Sequence, residues 1–192
     1  MFFWRRYRMD DSALMTLLRR RRSLRTFRPD PVPEDALAAC AEAARIAPSA
    51  ENVQPWRFTA LCGEAERARV AEAAFHGIYR FTRWAGEAPA LVALSAKLDV
   101  LANRIGAHLQ GTQYYLLDLG IAGEHFMLRA VELGLGGCWI GWFDAKRAHK
   151  ALGLPRNHRL TSFLALGYPE EDPLEKPPKK RRRLDEILEV RR

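Results

Sequence analysis

The sequence predicts an α+β domain in which helices cover a sheet. Three observations carry this expectation. Helical and strand-like patterns alternate along the chain. Pro89 to Ser95 (PALVALS) is a nearly continuous apolar run, as in a strand buried on both faces. Thr112 to Leu133 reads as one long helix with an apolar side much wider than the roughly 100° that faces a single core.

The elements follow in order. Asp10 to Arg21 opens on capping-type residues (Asp10, Asp11, Ser12) and then repeats Leu14, Leu17 and Leu18 at helical spacing. The turn Pro29 to Pro33 leads into a second helix through Arg45, with Glu34 and Asp35 in its first turn, where the helix dipole favours acids. Trp56 to Cys62 reads as a strand, and Glu64 to Phe75 as a helix after Gly63. On the long helix, Asp118, His125, Arg129 and Glu132 stand seven, four and three positions apart, so they share one face. Most of the rest of its circumference is apolar, which requires burial on more than one side, either centrally or against a partner subunit. Gly134-Leu135-Gly136-Gly137 reads as its stop, and Cys138 to Phe143 as an aromatic strand or extended loop. A short helix from Asp144 to Leu152, a strand from Leu160 to Gly167, a proline-rich arm and a last helix from Asp185 to Val190 complete the expectation.

Composition narrows the function classes. The chain has 192 residues, 48% hydrophobic and 28% charged, which describes one globular domain with arms. We expect residues 1–11 as an N-terminal extension, 12–170 as the domain and 171–192 as a C-terminal arm. The opening MFFWRRYRMDD lacks the apolar core and cleavage site of a secretory signal; Met9 as the natural start is the alternative. No stretch of about 18 uncharged apolar residues offers a transmembrane helix. Cys40, Cys62 and Cys138 have no metal or disulfide spacing, so buried reduced thiols and a cytoplasmic location are expected. The histidines (76, 108, 125, 149 and 158) are scattered without HxxxH or HExxH spacing, so no metal site is expected. The net charge of +8 permits nucleic-acid contact. The basic runs lack the interleaved aromatics of RNA-binding segments, however, and a phosphorylated small molecule explains them more economically.

Three constellations could carry chemistry. In Arg21-Arg22-Ser23-Leu24-Arg25-Thr26-Phe27, guanidiniums and a hydroxyl could converge on a phosphate if the chain turns there. A solvated basic helix end is the plainer alternative. Ala47-Pro48-Ser49-Ala50-Glu51-Asn52-Val53-Gln54-Pro55-Trp56 places small donors and acceptors beside apolar residues, suited to the polar edge of a planar heterocycle. An ordinary polar connection would use the same residues on nearby backbone. Gly134 to Asp144 (GLGGCWIGWFD) is glycine-rich but lacks the strand-before, helix-after context of a dinucleotide fingerprint.

Together these segments resemble the nitroreductase family of FMN-dependent oxidoreductases, over about residues 12–190. The resemblance implies a nitroreductase-like fold: a central, mostly antiparallel sheet flanked by helices in an intertwined homodimer, with FMN in a cleft between subunits. It implies that Arg21, Arg22, Ser23 and Arg25 hold the FMN phosphate, aided from the far end of the chain by Lys179 and Arg181. Asn52 would contact the pyrimidine edge, with Pro48, Ser49 and Ala50 lining the flavin; Gln54 would bond the ring or brace the loop. Main-chain amides at Ile140, Gly141 and Trp142 would face the hydride-accepting nitrogen. Trp139, Trp142 and Phe143 are candidate pocket walls, Trp139 more naturally core. The implied activity is ping-pong transfer of hydride from NADH or NADPH through FMN to a small-molecule acceptor such as a nitroaromatic or quinone, with no catalytic side chain. Two alternatives stay open: an FMN-binding protein with little turnover, and a basic interaction protein that has lost flavin. Residues 75–112 match no motif.

Overall fold

The structure, a computed structural model, describes residues 12–98, 112–173, 177 and 179–191. The expected N-terminal extension, the helix start at Asp10 and Asp11, and His108 lie outside the described residues.

Helix α1 spans Ala13–Arg20, capped by Ser12, whose hydroxyl accepts from the Met15 N–H at 3.1 Å. Helix α2 (Glu34–Arg45) follows the proline turn, and strand β1 (Trp56–Leu61) follows the polar loop. Helix α3 (Glu64–Ala74) leads into an eleven-residue 3₁₀ segment, Gly77–Glu87, which no sequence pattern announced. Then come β2 (Ala90–Lys97), the long helix α4 (Tyr114–Glu132), β3 (Gly136–Ile140), α5 (Ala145–Ala151) and β4 (His158–Gly167). The last expected helix is only a 3₁₀ turn, Leu184–Glu186. Its surroundings are exposed, so no tertiary packing repays the cost of nucleating a longer helix.

The four strands form one antiparallel sheet in the order β1-β2-β4-β3. β2 is central, and all of it except Lys97 is buried. Alternation along β2 sends Val92 and Leu94 into a core with α2 and α4, and Leu91 and Ala93 into a second core with α3 and α5. The α+β expectation of helices on both faces therefore holds. No helix among the described residues is long and apolar enough to cross a membrane.

The glycine run corrects the sequence reading. Gly134, at φ +81°, ends α4 as expected, but Gly136 and Gly137 are strand residues. A side chain at Gly136 would meet Leu24 Cδ1 at 2.2 Å, and one at Gly137 would meet the Ala165 carbonyl oxygen at 2.5 Å. Gly136 is small so that the segment after α1 can press against β3, and Gly137 so that β3 can lie close to β4 and α4. Cys62 also departs from expectation: Cys40 and Cys138 are buried, whereas Cys62 is exposed. It follows the last residue of β1 and has left the sheet.

α4 is buried over most of its circumference but not all of it. Leu117 is 56% and Ile121 40% exposed, with Leu116 beside them, on a side that nothing among the described residues covers. Asp118, expected on a polar face, is instead buried at 5% exposure.

Candidate functional site

The arginine segment does not turn. Arg21 leaves α1 with extended backbone, and Ser23 forms a parallel bridge to Gly137 while Leu24 N–H donates to the Gly137 carbonyl at 3.0 Å. Extended backbone places alternate residues on one side, so Arg21, Ser23 and Arg25 project together while Leu24 enters the core. This corrects the expected route to convergence. Period-two geometry, rather than a turn, puts two guanidiniums and a hydroxyl on one side of the strand. Arg21 is oriented by Glu124 of α4, Nε to Oε1 2.9 Å. The Arg25 guanidinium sits 5.9 Å from the Trp84 ring centroid. Arg22 points elsewhere: its Nη1 donates to the carbonyls of Pro177 at 2.9 Å and Pro173 at 3.3 Å. It therefore clasps the C-terminal arm.

The loop after α2 is built from unusual backbone. Glu51, Asn52 and Gln54 all have positive φ, at 51°, 56° and 48°. Non-glycine residues adopt this region at a cost of about 1 kcal/mol or more each, least for Asn, and persist there only when surrounding contacts impose it. Those contacts are present. Ser49 Oγ accepts from Gln54 N–H at 3.0 Å, and Gln54 Nε2 donates to Asn52 Oδ1 at 2.9 Å and to the Asn52 carbonyl at 3.3 Å. Gln54 thus braces the loop. Its bond occupies the Asn52 side-chain oxygen and leaves the Asn52 amide as a donor on an exposed loop. Ala50 N–H donates to Asp118 Oδ1 at 2.9 Å, which pins the loop to α4. Burial raises the Asp118 carboxyl above its ordinary pKa, and the Ala50 bond offsets part of that rise.

The exit of β3 is the third component. The Ile140 side chain is buried, so only its main chain could face a ligand. Gly141 has open space where a side chain would stand. Trp142 is 55% exposed and donates from Nε1 to the Ile78 carbonyl at 3.1 Å. Its ring lies 5.3 Å from that of Tyr79, and its carbonyl accepts from Thr82 Oγ1 at 2.8 Å. Phe143 and Trp139, by contrast, are core. Phe143 packs edge-on against Phe163, and Trp139 fills the space that Gly123 leaves. The 3₁₀ segment Gly77–Glu87 thus borders two of the expected site segments, through Trp84 at Arg25 and through Ile78, Tyr79 and Thr82 at Trp142. Sequence reading missed these residues. The aromatic spacing Tyr79, Phe81, Trp84 was the available signal, and it belongs to no motif.

The arm supplies the fourth component. Arg22 holds Pro177, two residues before Lys179, so the arm starts beside the arginine strand. Arg181 donates to the Lys180 carbonyl at 3.3 Å and so turns back on its own main chain.

These components gather in two places. The arginine strand is tied to α4 at Glu124, and the loop of Ser49 and Asn52 is tied to it at Asp118. Six helical residues separate the anchors, which puts them about 9 Å apart along the axis and roughly 120° apart around it. His125, next to Glu124, ties α4 to α2 through the Ala43 carbonyl at 3.3 Å and is structural. The donor chemistry fits a flavin mononucleotide: guanidiniums and a hydroxyl for a phosphate, an amide donor and main-chain groups for a heterocycle edge, and exposed aromatics for its face.

Comparison with known proteins bears on this arrangement. The profile described as Nitroreductase family matches residues 18–168. A Thermus thermophilus protein named NADH dehydrogenase is 34% identical over 179 residues, covering 80% of this chain and 85% of that one. The Rhodospirillum rubrum 5,6-dimethylbenzimidazole synthase is 28% identical, covering 83% of each chain. The crystal structure of an FMN and NADPH-dependent nitroreductase, NfnB from Sphigopyxis sp. strain HMH, is 24% identical and aligns with a TM-score of 0.76 over 94% of this chain and 99% of that one.

Proposed function

Because the chain belongs to the nitroreductase family, we propose that it is an FMN-dependent oxidoreductase that draws on NADH or NADPH and reduces a small electrophile such as a nitroaromatic or quinone. The single observation carrying this reading is the strained loop at Glu51, Asn52 and Gln54, held by Asp118 and Gln54 so that the Asn52 amide is presented outward. A loop that merely connected α2 to β1 would need neither three left-handed residues nor a buried carboxylate to hold it.

Bound FMN would supply the hydride chemistry of a ping-pong exchange between the nicotinamide and the acceptor. The protein's residues do the rest. Arg21, Ser23 and Arg25 hold the phosphate, while Arg22, on the other side of the strand, holds the arm; Lys179 and Arg181 join the phosphate only if the arm rearranges. Pro48, Ser49 and Ala50 line the ring, and Asn52 donates to its polar edge while Gln54 keeps the loop in shape. The main chain from Ile140 to Trp142 places N–H donors where negative charge develops, and donors fixed in advance stabilise such charge without reorganising. No side-chain acid or base is needed.

We further assign residues 12–170 to the FMN-binding unit and 171–192 to an arm that crosses to a partner, in a homodimer. Two observations support the dimer. The exposed apolar side of α4 at Leu117 and Ile121 needs a cover. The two anchors on α4 face different directions, so the loop of one copy and the arginine strand of another can share a cleft.

The test is a visible spectrum of purified protein incubated with FMN and freed of excess, repeated after anaerobic NADPH or NADH. A flavin band that bleaches promptly supports the oxidoreductase. A band that persists indicates a binding role, and a colourless protein overturns the flavin reading.

A further inference from the structure

We propose that Thr82 is a positioning residue for the flavin-facing main chain at Gly141 and Trp142, a role that rests on the flavin reading above. Between the end of β3 at Ile140 and the buried ring of Phe143, two residues cross open space. Gly141 contributes no side chain to hold them, and a Cβ there would touch nothing within 4 Å. Their orientation is set from the 3₁₀ segment. Thr82 Oγ1 donates to the Trp142 carbonyl at 2.8 Å, and Trp142 Nε1 donates to the Ile78 carbonyl at 3.1 Å. The Tyr79 ring backs the indole, with ring centroids 5.3 Å apart.

Two of the groups on the Trp142 Cα, its carbonyl and its side chain, are therefore fixed by one neighbouring segment. Tetrahedral geometry at that Cα then fixes the Cα–N bond, which leaves the N–H a single rotation, φ, on a chain tethered at Ile140 in β3. Hydrogen bonds weaken steeply as their angle departs from linear, so a donor that stabilises developing charge depends on this restraint. Thr82 has a single hydroxyl proton, and its oxygen also lies 2.8 Å from the Tyr79 carbonyl. The Tyr79 contact is local to the 3₁₀ segment. The Trp142 contact is the one that reaches the site, and it spans 60 residues of chain.

The experiment compares Thr82→Val, which keeps the shape and removes the hydroxyl, with Thr82→Ser, which keeps the hydroxyl. Both are loaded with FMN, and the FMN dissociation constant and the flavin midpoint potential are measured. Thr82→Val is expected to bind FMN within about threefold of the parent, because the phosphate contacts are elsewhere. Its preference for the reduced over the oxidised ring should drop about tenfold, a potential about 30 mV more negative for a two-electron couple. Thr82→Ser should restore the parent potential. An unchanged potential in Thr82→Val overturns the proposal, as does an equal shift in both variants. If Thr82→Val does not fold, Trp142→Phe, which deletes the indole donor to Ile78 and shrinks the ring against Tyr79, must lower the potential; no shift there overturns the restraint. Failure of the parent to take up FMN would instead overturn the flavin reading itself.

Discussion

The carboxylate of Asp118 and the main-chain N–H of Ala50 are joined by a 2.9 Å hydrogen bond across 68 residues of chain. It fastens the loop that carries Ser49 and Asn52 to the central helix, and the carboxylate is buried to make it. Because burial raises the Asp118 pKa, the folded protein holds this proton to higher pH than the unfolded chain does. The charged carboxylate thus weakens the fold progressively as pH rises from about 3.9, the ordinary value, to the raised value, and the full penalty applies above it. Asp118→Asn removes the charge and keeps an oxygen for Ala50, so its Tm at pH 7 should match or exceed that of the parent, with the gap closing below pH ~4. Asp118→Ala strands the Ala50 N–H and should cost about 1–3 kcal/mol. Thermal unfolding across pH 4 to 7 checks both; a less stable asparagine variant at pH 7 would contradict the account.

Arg21→Ala with Arg25→Ala should weaken FMN binding sharply. A hydrogen bond to a charged group contributes about 1.5–3 kcal/mol, or tenfold to a hundredfold for each arginine. Fluorescence titration with FMN measures it, and an unchanged affinity would mean that the phosphate lies elsewhere.

Gly137→Ala should destabilise the fold, because its Cβ would meet the Ala165 carbonyl oxygen at 2.5 Å, a backbone atom locked into β4. Overpacking of this kind costs about 1–3 kcal/mol. Gly141→Ala, with open space around it, should stay within about 0.5 kcal/mol of the parent. Equal denaturant midpoints for the two variants would refute the packing argument.

The thiols should separate by burial. The Cys40 thiol is pushed up to about 11 by its buried site, with Arg129 pulling the other way. At pH 8 a thiol reagent should modify Cys62 and leave Cys40 and Cys138 intact until the protein unfolds. Cys40 should also erode stability as pH rises from the ordinary thiol range toward about 11, since the unfolded chain loses that proton first. Mass spectrometry of alkylated peptides distinguishes the three.

Deleting residues 171–192 should weaken self-association. The arm exposes Leu184, Ile187, Leu188 and Val190, and each that a partner covers contributes about 1.5–3 kcal/mol. Sedimentation of the full and shortened chains tests this; the same association constant for both would remove the arm from the interface.

Much of the architecture was legible because it depends on local pattern. The helix α2, the β2 strand buried on both faces and the long α4 follow from periodicity that neighbouring residues impose on one another. The motif-bearing segments were also legible, since RRSLR and PSAENVQPW are contiguous. Gly136 and Gly137 were misread as part of a helix stop because glycine after a helix has two uses. It either turns the chain or lets another segment approach closely, and only Leu24 and the Ala165 carbonyl distinguish them. The last helix failed for a related reason. Its pattern was present, but its residues are exposed and no neighbour among the described residues packs against it.

The sequence by itself determined which residue types stand together along the chain: the arginines and serine after α1, the donors after α2, and the exit of β3. Tertiary structure alone decided their orientation. It extended residues 21–25 against β3 so that alternate side chains align, buried Asp118 to hold Ala50, and made the motif-less segment Gly77–Glu87 the support for Arg25 and Trp142. The physical reason is separation. Contacts across 60 or 68 residues form only once the sheet brings distant segments together, and no periodicity in a one-dimensional pattern encodes which partner will be found.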